Sequence, residues 1–138
     1  MDKALNYLSL ARKAGRIELG EEPVGAAARA QHARLVVVAS DASDHTWRRA
    51  KSFVAGTDQQ CIKAPFTKDE MGMATGRSAL AIAAFTDPAM ALAFVKAMNR
   101  PEDGELLENL TRRSNRILQR QKEAKAHERN KQLGRKKH

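Results

Sequence analysis

Apolar side chains recur at helical spacing in five segments of the first hundred residues, and short apolar runs of strand length separate these segments. The pattern predicts helices over residues 2–14, 23–29, 43–55, 68–75 and 88–99. It predicts strands over residues 16–19, 35–39, 61–66 and 79–85. Because helices and strands alternate along the chain, we expect an α/β fold, specifically a three-layer α/β/α sandwich around a central four-stranded sheet.

Residues with known terminal preferences mark several of the predicted helix boundaries. Gly15, Gly56 and Gly76 each follow an amphipathic segment, as is typical of a helix C-terminus. Thr67 and Glu70 have the spacing of a capping box, in which each side chain accepts a hydrogen bond from the backbone N–H of the other residue. These signals support the division of the chain into separate short elements.

The predicted strands differ in their expected burial. The run at residues 35–39 is apolar without alternation and rich in β-branched residues, so it is predicted to be a central strand covered on both faces. Pro65 limits the strand at residues 61–66 to an edge or an end of the sheet. Aromatic residues make up 4% of the chain, and the prevalence of smaller aliphatic residues favours helices packed on a sheet.

The pattern changes after residue 100. Residues 101–104 are predicted to form a hinge, and beyond them a sparse apolar stripe fades into charge. The stripe consists of Leu106, Leu107, Leu110, Ile117 and Leu118. We therefore expect a sandwich domain over residues 1–100 that folds without the rest of the chain. Residues 101–138 are expected to form the hinge and a basic C-terminal tail that is partly helical or disordered.

Charge is distributed very unevenly along the chain. Residues 1–111 contain fourteen Lys and Arg and fourteen Asp and Glu, whereas residues 112–138 contain eleven and two, so the whole net charge of +9 lies in the last 27 residues. A terminal block of like charge is typical of a segment that binds a polyanion such as nucleic acid. Two alternatives stay open, namely a tail that only maintains solubility and a tail that binds an anionic membrane. Nucleic acid is favoured over a membrane because the apolar residues after Leu118 are only alanines and Leu133.

The composition also bears on the cellular compartment. Cys61 is the only cysteine, so no disulfide can form within the chain, and a reducing compartment fits. The N-terminus lacks the features of a signal peptide, and no stretch approaches the roughly eighteen apolar residues that a membrane span needs. We therefore expect a cytoplasmic protein with no membrane partner.

Signals of catalysis and of metal or cofactor binding are weak. Asp41, Ser43 and His45 lie close together, but Ser43 has no nucleophile-elbow context and Asp41 is better interpreted as a cap of the third helix. No metal-ligand spacing connects the possible ligands His32, His45, His127, His138 and Cys61. A Gly-rich phosphate loop is absent as well, so we expect no enzyme, no metal and no cofactor. We interpret four methionines as core residues, namely Met71, Met73, Met90 and Met98.

Five short segments carry a resemblance to a known family. In chain order they are Leu8-Ser-Leu-Ala-Arg-Lys-Ala-Gly15, Gly20-Glu-Glu22, Ala33-Arg-Leu-Val-Val-Val-Ala-Ser-Asp41-Ala-Ser, Phe66-Thr-Lys-Asp-Glu-Met-Gly72 and Ala-Phe-Thr-Asp87. Their order and spacing over about residues 2–98 resemble the ribosomal L-seven-Ae and L-thirty-e RNA-binding family, in particular its small bacterial YlxQ-like branch.

The resemblance implies an α/β/α sandwich that binds RNA, in many members a kink-turn, without cofactor or catalysis. The family's main RNA contact is a turn entering the second helix, typically Gly-x-Asn-Glu followed three residues later by Lys, which falls here on residues 20–26. Gly20 is kept, whereas Glu22, Pro23 and Ala26 stand where Asn, Glu and Lys are usual. Because a carboxylate only accepts hydrogen bonds and repels phosphates, these departures predict weak kink-turn recognition. An ordinary helix start is the alternative interpretation of this turn.

The candidate RNA contacts fall into two groups. Around the turn and the short loop before the last strand, they are Arg12, Lys13, Arg16, Gly20, Glu21, Glu22, Arg29, Arg77 and Ser78. In the tail, they are Arg112, Arg113, Arg116, Arg120, Lys122, Lys125, Arg129, Lys131, Arg135, Lys136 and Lys137. We interpret Arg48, Arg49 and Lys51 as surface residues rather than RNA contacts.

Two hypotheses of different classes follow. The first is a monomeric, ribosome-associated RNA-binding protein whose folded domain docks on structured RNA while the basic tail contacts phosphates. Its expected partners are RNA, above all ribosomal RNA, and ribosomal proteins. The second is a protein-interaction adaptor, in which the sandwich binds a protein and the tail serves for solubility or as a weak RNA tether.

Overall fold

A computed structural model describes the backbone of residues 2–136 and the side chains of residues 2–130. The helices are α1 (Lys3–Lys13), α2 (Glu21–Arg29), α3 (Asp44–Val54), α4 (Lys68–Thr75), α5 (Pro88–Met98) and α6 (Gly104–Lys136), with a 3₁₀ helix over Pro101–Asp103. The strands are β1 (Ile17–Leu19), β2 (Leu35–Val38), β3 (Cys61–Lys63) and β4 (Ile82–Phe85). The described residues contain no helix that is long and apolar enough to cross a membrane.

The four strands form one sheet in the order β1-β4-β2-β3. The β4 strand pairs antiparallel with both β1 and β2, whereas β2 and β3 run parallel. All four residues of β2 are buried, as its unbroken apolar run predicts for a central strand. The β3 strand lies at an edge, which agrees with the constraint from Pro65.

Side chains of successive strand residues point to opposite faces of the sheet and build two separate apolar cores. Leu35 and Val37 belong to the core that α1, α4, α5 and the start of α6 cover. Val36 and Val38 belong to the second core, which α2 and α3 cover. The predicted three-layer α/β/α sandwich with a central four-stranded sheet is therefore confirmed.

The helix starts confirm one predicted cap and reassign another. In the capping box of α4, the Glu70 N–H donates to Thr67 Oγ1 at 3.1 Å and the Thr67 N–H donates to Glu70 Oε1 at 3.0 Å. The cap of α3 is Ser43, whose Oγ accepts from Thr46 N at 3.2 Å. Asp41 does not cap α3, because its Oδ1 accepts from the first helical N–H of α4, on Lys68, at 2.8 Å.

The methionines do not all lie in the core as the sequence predicts. Met71 is fully buried, and Met90 and Met98 are half-buried against the same core. Met73 is 76% exposed, so its assignment to the core is wrong. The reason is helical geometry, since a residue two positions after buried Met71 points away from the face that α4 buries.

The connection from α5 to α6, where the sequence predicts a hinge, contains a 3₁₀ helix over Pro101–Asp103. Arg100 donates from Nε to Asp103 Oδ2 at 2.9 Å and from Nη2 to Asp103 Oδ1 at 3.2 Å, in a bidentate pair. Its Nη1 also donates to the carbonyl oxygen of Lys63 at 3.0 Å. Asp103 is only 4% exposed, so this ion pair fixes the direction in which α6 leaves the sandwich.

The first turns of α6 are part of the folded sandwich. Leu106 is 7% exposed and Leu110 is fully buried, and both belong to the core that contains Phe85 and Phe94. The domain boundary after residue 100 stays a prediction. A chain that ends at Arg100 would lack these two leucines, so it would expose the apolar surface that they cover.

We predict that Leu110→Ala lowers the free energy of unfolding by about 2–5 kcal/mol, because it leaves a cavity in the core. Leu118→Ala is the matched control on the same helix, since Leu118 is 51% exposed, and its effect should stay within about 0.5 kcal/mol. Urea denaturation of both variants measures the difference. Equal, small effects would show that α6 is not docked.

Candidate nucleic-acid interface

The turn that enters α2 begins where β1 ends. Gly20 has a φ of +97°, a conformation that a residue with a side chain rarely adopts. Its N–H donates to the carbonyl oxygen of Ile82 at 3.0 Å, and its own carbonyl accepts from the Val24 N–H at 3.0 Å. Gly20 therefore joins the start of β4 to the first turn of α2, and no side chain caps that helix.

A second turn, at residues 76–78, lies beside the first. Gly76 ends α4 with a φ of +75°. A Cβ on Gly72, one turn earlier in the helix, would lie 2.8 Å from Cα of Ala79 and 2.8 Å from the carbonyl oxygen of Arg77. Only glycine at position 72 leaves room for the loop to pack this closely on α4. The helix thereby holds the exposed residues Arg77 and Ser78 in place.

Two exposed arginines converge on these glycine turns. A Cβ on Gly20 would lie 3.6 Å from Nη1 of Arg77, and a Cβ on Gly76 would lie 3.0 Å from Nη1 of Arg12. Both guanidinium groups thus lie against backbone that has no side chain to cover it. The positive end of the α2 dipole is in the same place, so this end of the sheet presents donors and positive potential to an anion.

The acidic residues of this turn differ in their partners. Glu21 accepts from Arg49 Nε at 2.7 Å, and the Arg49 guanidinium lies 4.9 Å from the centre of the Phe53 ring. Arg49 therefore neutralises one carboxylate at the turn, a contact that the sequence did not reveal. Glu22 is exposed and makes no hydrogen bond or ion pair with the described side chains. Pro23 and Ala26 are also exposed on α2.

The structure separates two of the predicted cations, Arg16 and Arg29, from the two arginines of the turn. Arg16 lies at the opposite end of β1, where its carbonyl oxygen accepts from the Thr86 N–H at 2.9 Å. Arg29 lies in the last turn of α2, about 12 Å along the helix from Glu21. Lys13 is exposed in the last turn of α1. The predicted cluster thus reduces to Arg12 and Arg77, with Lys13 following Arg12 along the chain.

The cations of α6 are mostly exposed. Arg112, Arg116, Arg120, Lys122, Lys125 and Arg129 all have exposed side chains. The side chains of Lys131, Arg135, Lys136 and Lys137 lie outside the described residues. Arg113 differs from the exposed group, because it is only 9% exposed and lies where α6 meets the sandwich.

Arg113 has neighbours that the sequence analysis missed. Its Nη2 lies 3.6 Å from Oδ2 of Asp58, and Arg34 lines the same pocket. Burial lowers the pKa of Arg113, and the Asp58 carboxylate opposes that shift. One sequence signal could have revealed the burial, since Arg113 continues the core-facing spacing of Leu106 and Leu110. No local signal links positions 34 and 58 to α6.

The described residues offer no group of three or more His, Cys, Asp or Glu that could hold a metal ion. Cys61 is half-buried, and this burial raises the pKa of its thiol, while the nearby Lys51 lowers it less. The two turns bring together the guanidinium groups of Arg12 and Arg77, the first N–H groups of α2 and the carboxylates of Glu21 and Glu22, of which Glu21 is paired with Arg49. Guanidinium and N–H groups in such a set bind anions through charge and geometry.

Comparison with known proteins identifies the family of this chain. No family model matches the chain. Over 75 residues it is 33% identical to RNA-binding protein YlxQ of Enterococcus faecium, a match that covers 54% of this chain and 72% of that protein. The chain belongs to the YlxQ-like branch of the L-seven-Ae and L-thirty-e family. The predicted family is thereby confirmed.

Solved structures resemble the fold of this YlxQ-like chain. A protein of unknown function from Bacillus halodurans matches with a TM-score of 0.67 at 22% identity, over 72% of this chain and 100% of that chain. A 15.5 kDa RNA-binding protein of Giardia lamblia matches with a TM-score of 0.57 at 17% identity, over 71% of this chain and 83% of that chain. At these identities the likeness shows the fold alone.

We predict that Gly20→Ala lowers the free energy of unfolding by about 1–3 kcal/mol, because Gly20 has a φ of +97° and a ψ of 161°, a backbone region that is essentially reserved for glycine. Gly104→Ala is the control, since Gly104 has a φ of −54° and open space around it. Its effect should be neutral or stabilising by up to about 1 kcal/mol. Thermal unfolding of both variants makes the comparison, and a harmless Gly20→Ala would contradict the backbone role given to this turn.

Proposed function

We propose that this YlxQ-like chain is a non-catalytic RNA-binding protein. The observation that carries the proposal is the convergence of Arg12 and Arg77 on the glycine turns at residues 20 and 76. This is the end of the sheet where the family resemblance locates the RNA contact. The name of the Enterococcus relative, an RNA-binding protein, supports the same conclusion.

The chemistry of the two turns suits a phosphate backbone. Guanidinium groups bind phosphate through paired hydrogen bonds, and bare glycine backbone lets a ligand approach closely. The ion pair joins Arg49 and Glu21, whose side chains are 49% and 40% exposed, so it contributes under about 1 kcal/mol to stability. Its effect at the turn is to cancel a charge that would repel RNA.

Helix α6 extends the basic surface away from the sandwich. All side chains over residues 119–130 are exposed, and this stretch contains four cations and two acidic residues. Cations on a solvated helix release counterions when they meet phosphates, whatever the RNA sequence. We propose that the sandwich positions the RNA while α6 supplies affinity that is independent of sequence.

The proposal extends to the cellular setting. We propose that the chain acts as a monomer in the cytoplasm and that its RNA is ribosomal, with ribosomal proteins as neighbours. The support is the family resemblance together with the lone cysteine, which fits a reducing compartment. Crosslinking of the protein to RNA in cells, with the sites mapped, tests this assignment directly.

An adaptor role is the second candidate, and one observation favours it. Met73 is exposed beside Leu5, Asp2, Asp69 and Glu70 in a shallow groove between α1 and α4. A flexible, exposed methionine is common on protein-binding surfaces. Material that co-purifies, absorbs at 260 nm and is lost after ribonuclease treatment supports RNA binding, whereas a nuclease-insensitive protein partner supports the adaptor role.

The first functional prediction concerns salt. If about six of the eleven cations after Thr111 meet phosphates of single-stranded RNA, the logarithm of the binding constant should fall with the logarithm of salt concentration at a slope near −4. A chain that ends at Gln121 keeps the docked part of α6 and should show a clearly shallower slope. Fluorescence anisotropy with a labelled oligouridine measures both slopes, and an unchanged slope would contradict the role of the tail.

The second functional prediction concerns kink-turns. The natural turn should show little preference for a kink-turn over a duplex of equal length, because Glu22 only accepts hydrogen bonds and Ala26 carries no charge. Replacing the three residues by Glu22→Asn, Pro23→Glu and Ala26→Lys restores the usual groups on an exposed surface. The variant should gain about tenfold in preference, since bidentate base contacts are worth about 1–3 kcal/mol each.

Competition binding with the chain that ends at Gln121 measures this preference without most of the tail. Glu105→Gln has the same net charge change of +1 at a distant, exposed position and serves as the control. Tight kink-turn binding by the unmodified chain, at tenfold or better over duplex, would show that other residues recognise the RNA; tenfold corresponds to about 1.4 kcal/mol.

A further inference from the structure

A basic pocket lies between α6 and the sandwich, away from the glycine turns. Its volume is about 170 Å³, several times the roughly 30 Å³ that one water occupies. The lining residues are Arg34, Asp58, Arg113, Arg116, Ile117 and Arg120. Four arginines and one aspartate thus line this space.

The pocket and the glycine turns lie at opposite ends of the sheet. The Gly20 N–H bonds to Ile82, the first residue of β4, whereas the Arg34 N–H bonds to the carbonyl oxygen of Phe85, the last residue of that strand, at 2.8 Å. Ile82 and Phe85 are three residues apart in an extended strand, which separates them by about 10 Å. The pocket is therefore a different site from the turn at Gly20.

Helical spacing brings the cations of α6 to the pocket. Arg113, Arg116, Ile117 and Arg120 have the relative positions i, i+3, i+4 and i+7, which place all four side chains on one face of the helix. Burial of Leu106 and Leu110 orients this face toward the sandwich. The core thus sets the rotation of α6, which places the exposed Arg116 and Arg120 beside the buried Arg113.

Two of the guanidinium groups hold buried N–H donors that lack a hydrogen-bond acceptor. Nη2 of Arg113 and Nε of Arg34 are both buried, and neither makes a hydrogen bond to any of the residues that the structure describes. Arg113 itself is more than nine-tenths buried. A buried donor without an acceptor costs free energy, so the protein itself satisfies these two guanidinium groups incompletely.

The Asp58 carboxylate does not accept a hydrogen bond from Nη2 of Arg113. Its Oδ2 lies 3.6 Å from Arg113 Nη2, longer than the roughly 2.7–2.9 Å of a charge-assisted hydrogen bond, and its side chain is 84% exposed. Burial lowers the pKa of Arg113, and the neighbouring Arg34 and Arg116 lower it further, against the effect of Asp58. The charged form of Arg113 is therefore incompletely compensated, and an anion would compensate it.

We propose that this pocket binds a phosphate group of an RNA backbone. The proposal rests on the proposed function and adds a second contact point at the other end of the sheet. Phosphate offers negative charge and several acceptor oxygens to the four arginines that line the pocket. Free phosphate has the same chemistry, so the test includes inorganic phosphate and RNA as separate probes.

The decisive variants keep the core intact and change charge in matched pairs. Arg116→Gln with Arg120→Gln removes two exposed cations of the pocket, and Arg112→Gln with Lys122→Gln removes two exposed cations of the same helix outside it. Asp58→Asn removes the carboxylate of the pocket, and Glu108→Gln is its control on α6. Arg113 is left unchanged because it is buried, and its substitution could reduce RNA binding simply by destabilising the fold.

Anisotropy with a labelled oligouridine and the full chain gives the RNA result. The pocket pair should weaken binding about tenfold more than the control pair, because charge-assisted hydrogen bonds are lost in addition to charge. Asp58→Asn should strengthen binding about threefold, and more than Glu108→Gln does, because it removes repulsion next to the phosphate. A gain of this kind cannot come from a damaged fold.

NMR spectra of the arginine Nε–Hε groups give the phosphate result. Inorganic phosphate should shift the signals of Arg34 and Arg113 to saturation, and chloride at equal ionic strength should not. If the two pairs of substitutions weaken RNA binding equally and Asp58→Asn does not strengthen it, the pocket does not bind RNA phosphate, although the protein still binds RNA. A wild-type chain that binds no RNA would refute the proposed function, and phosphate saturation in that case would overturn the assignment of the pocket to RNA.

Discussion

Burial of Leu110 under α5 is the interaction on which the basic surface depends. Full burial of a leucine stabilises a fold by about 1.5–3 kcal/mol, and Leu106 adds a second anchor one turn earlier. The bidentate pair between Arg100 and Asp103 sets the angle of entry into α6. Together these contacts fix the rotation of the helix, and the rotation decides which of its cations face the sandwich and which face solvent.

Positively charged side chains lie at both ends of the sheet. At the start of β4, positive-φ glycines leave backbone uncovered, and Arg12 and Arg77 lie against it. At the end of β4, Arg34 meets the arginines of α6. These two sites differ in character, since the first is open and paired with the α2 dipole, whereas the second holds buried donors. An extended polyanion is a natural ligand for such a pair, because separate phosphates of one chain can occupy both.

Local sequence signals predicted most of the fold. The apolar run of β2, the capping box of α4 and the strand–helix alternation are properties of neighbouring residues, so they are visible without tertiary structure. Asp41 was misassigned because its partner, the first N–H of α4, is distant in the sequence, and Met73 was misassigned because its exposure depends on which face of α4 is buried. The pocket could not be predicted, since positions 34, 58 and 113 meet only through the docking of α6. The helical spacing of Arg113 from Leu106 and Leu110 was the one sequence signal for the burial of Arg113.

In the proposed function, RNA contacts both ends of the sheet together. Hydrogen–deuterium exchange of the full chain, with and without a saturating RNA, tests it most directly because it reports on every segment at once. We expect slower exchange in peptides covering residues 19–24, 76–80 and 113–120, and no change at residues 61–66 on the β3 edge. Protection confined to residues beyond 121 would show that the tail alone binds RNA, and it would contradict RNA binding at the two ends of the sheet.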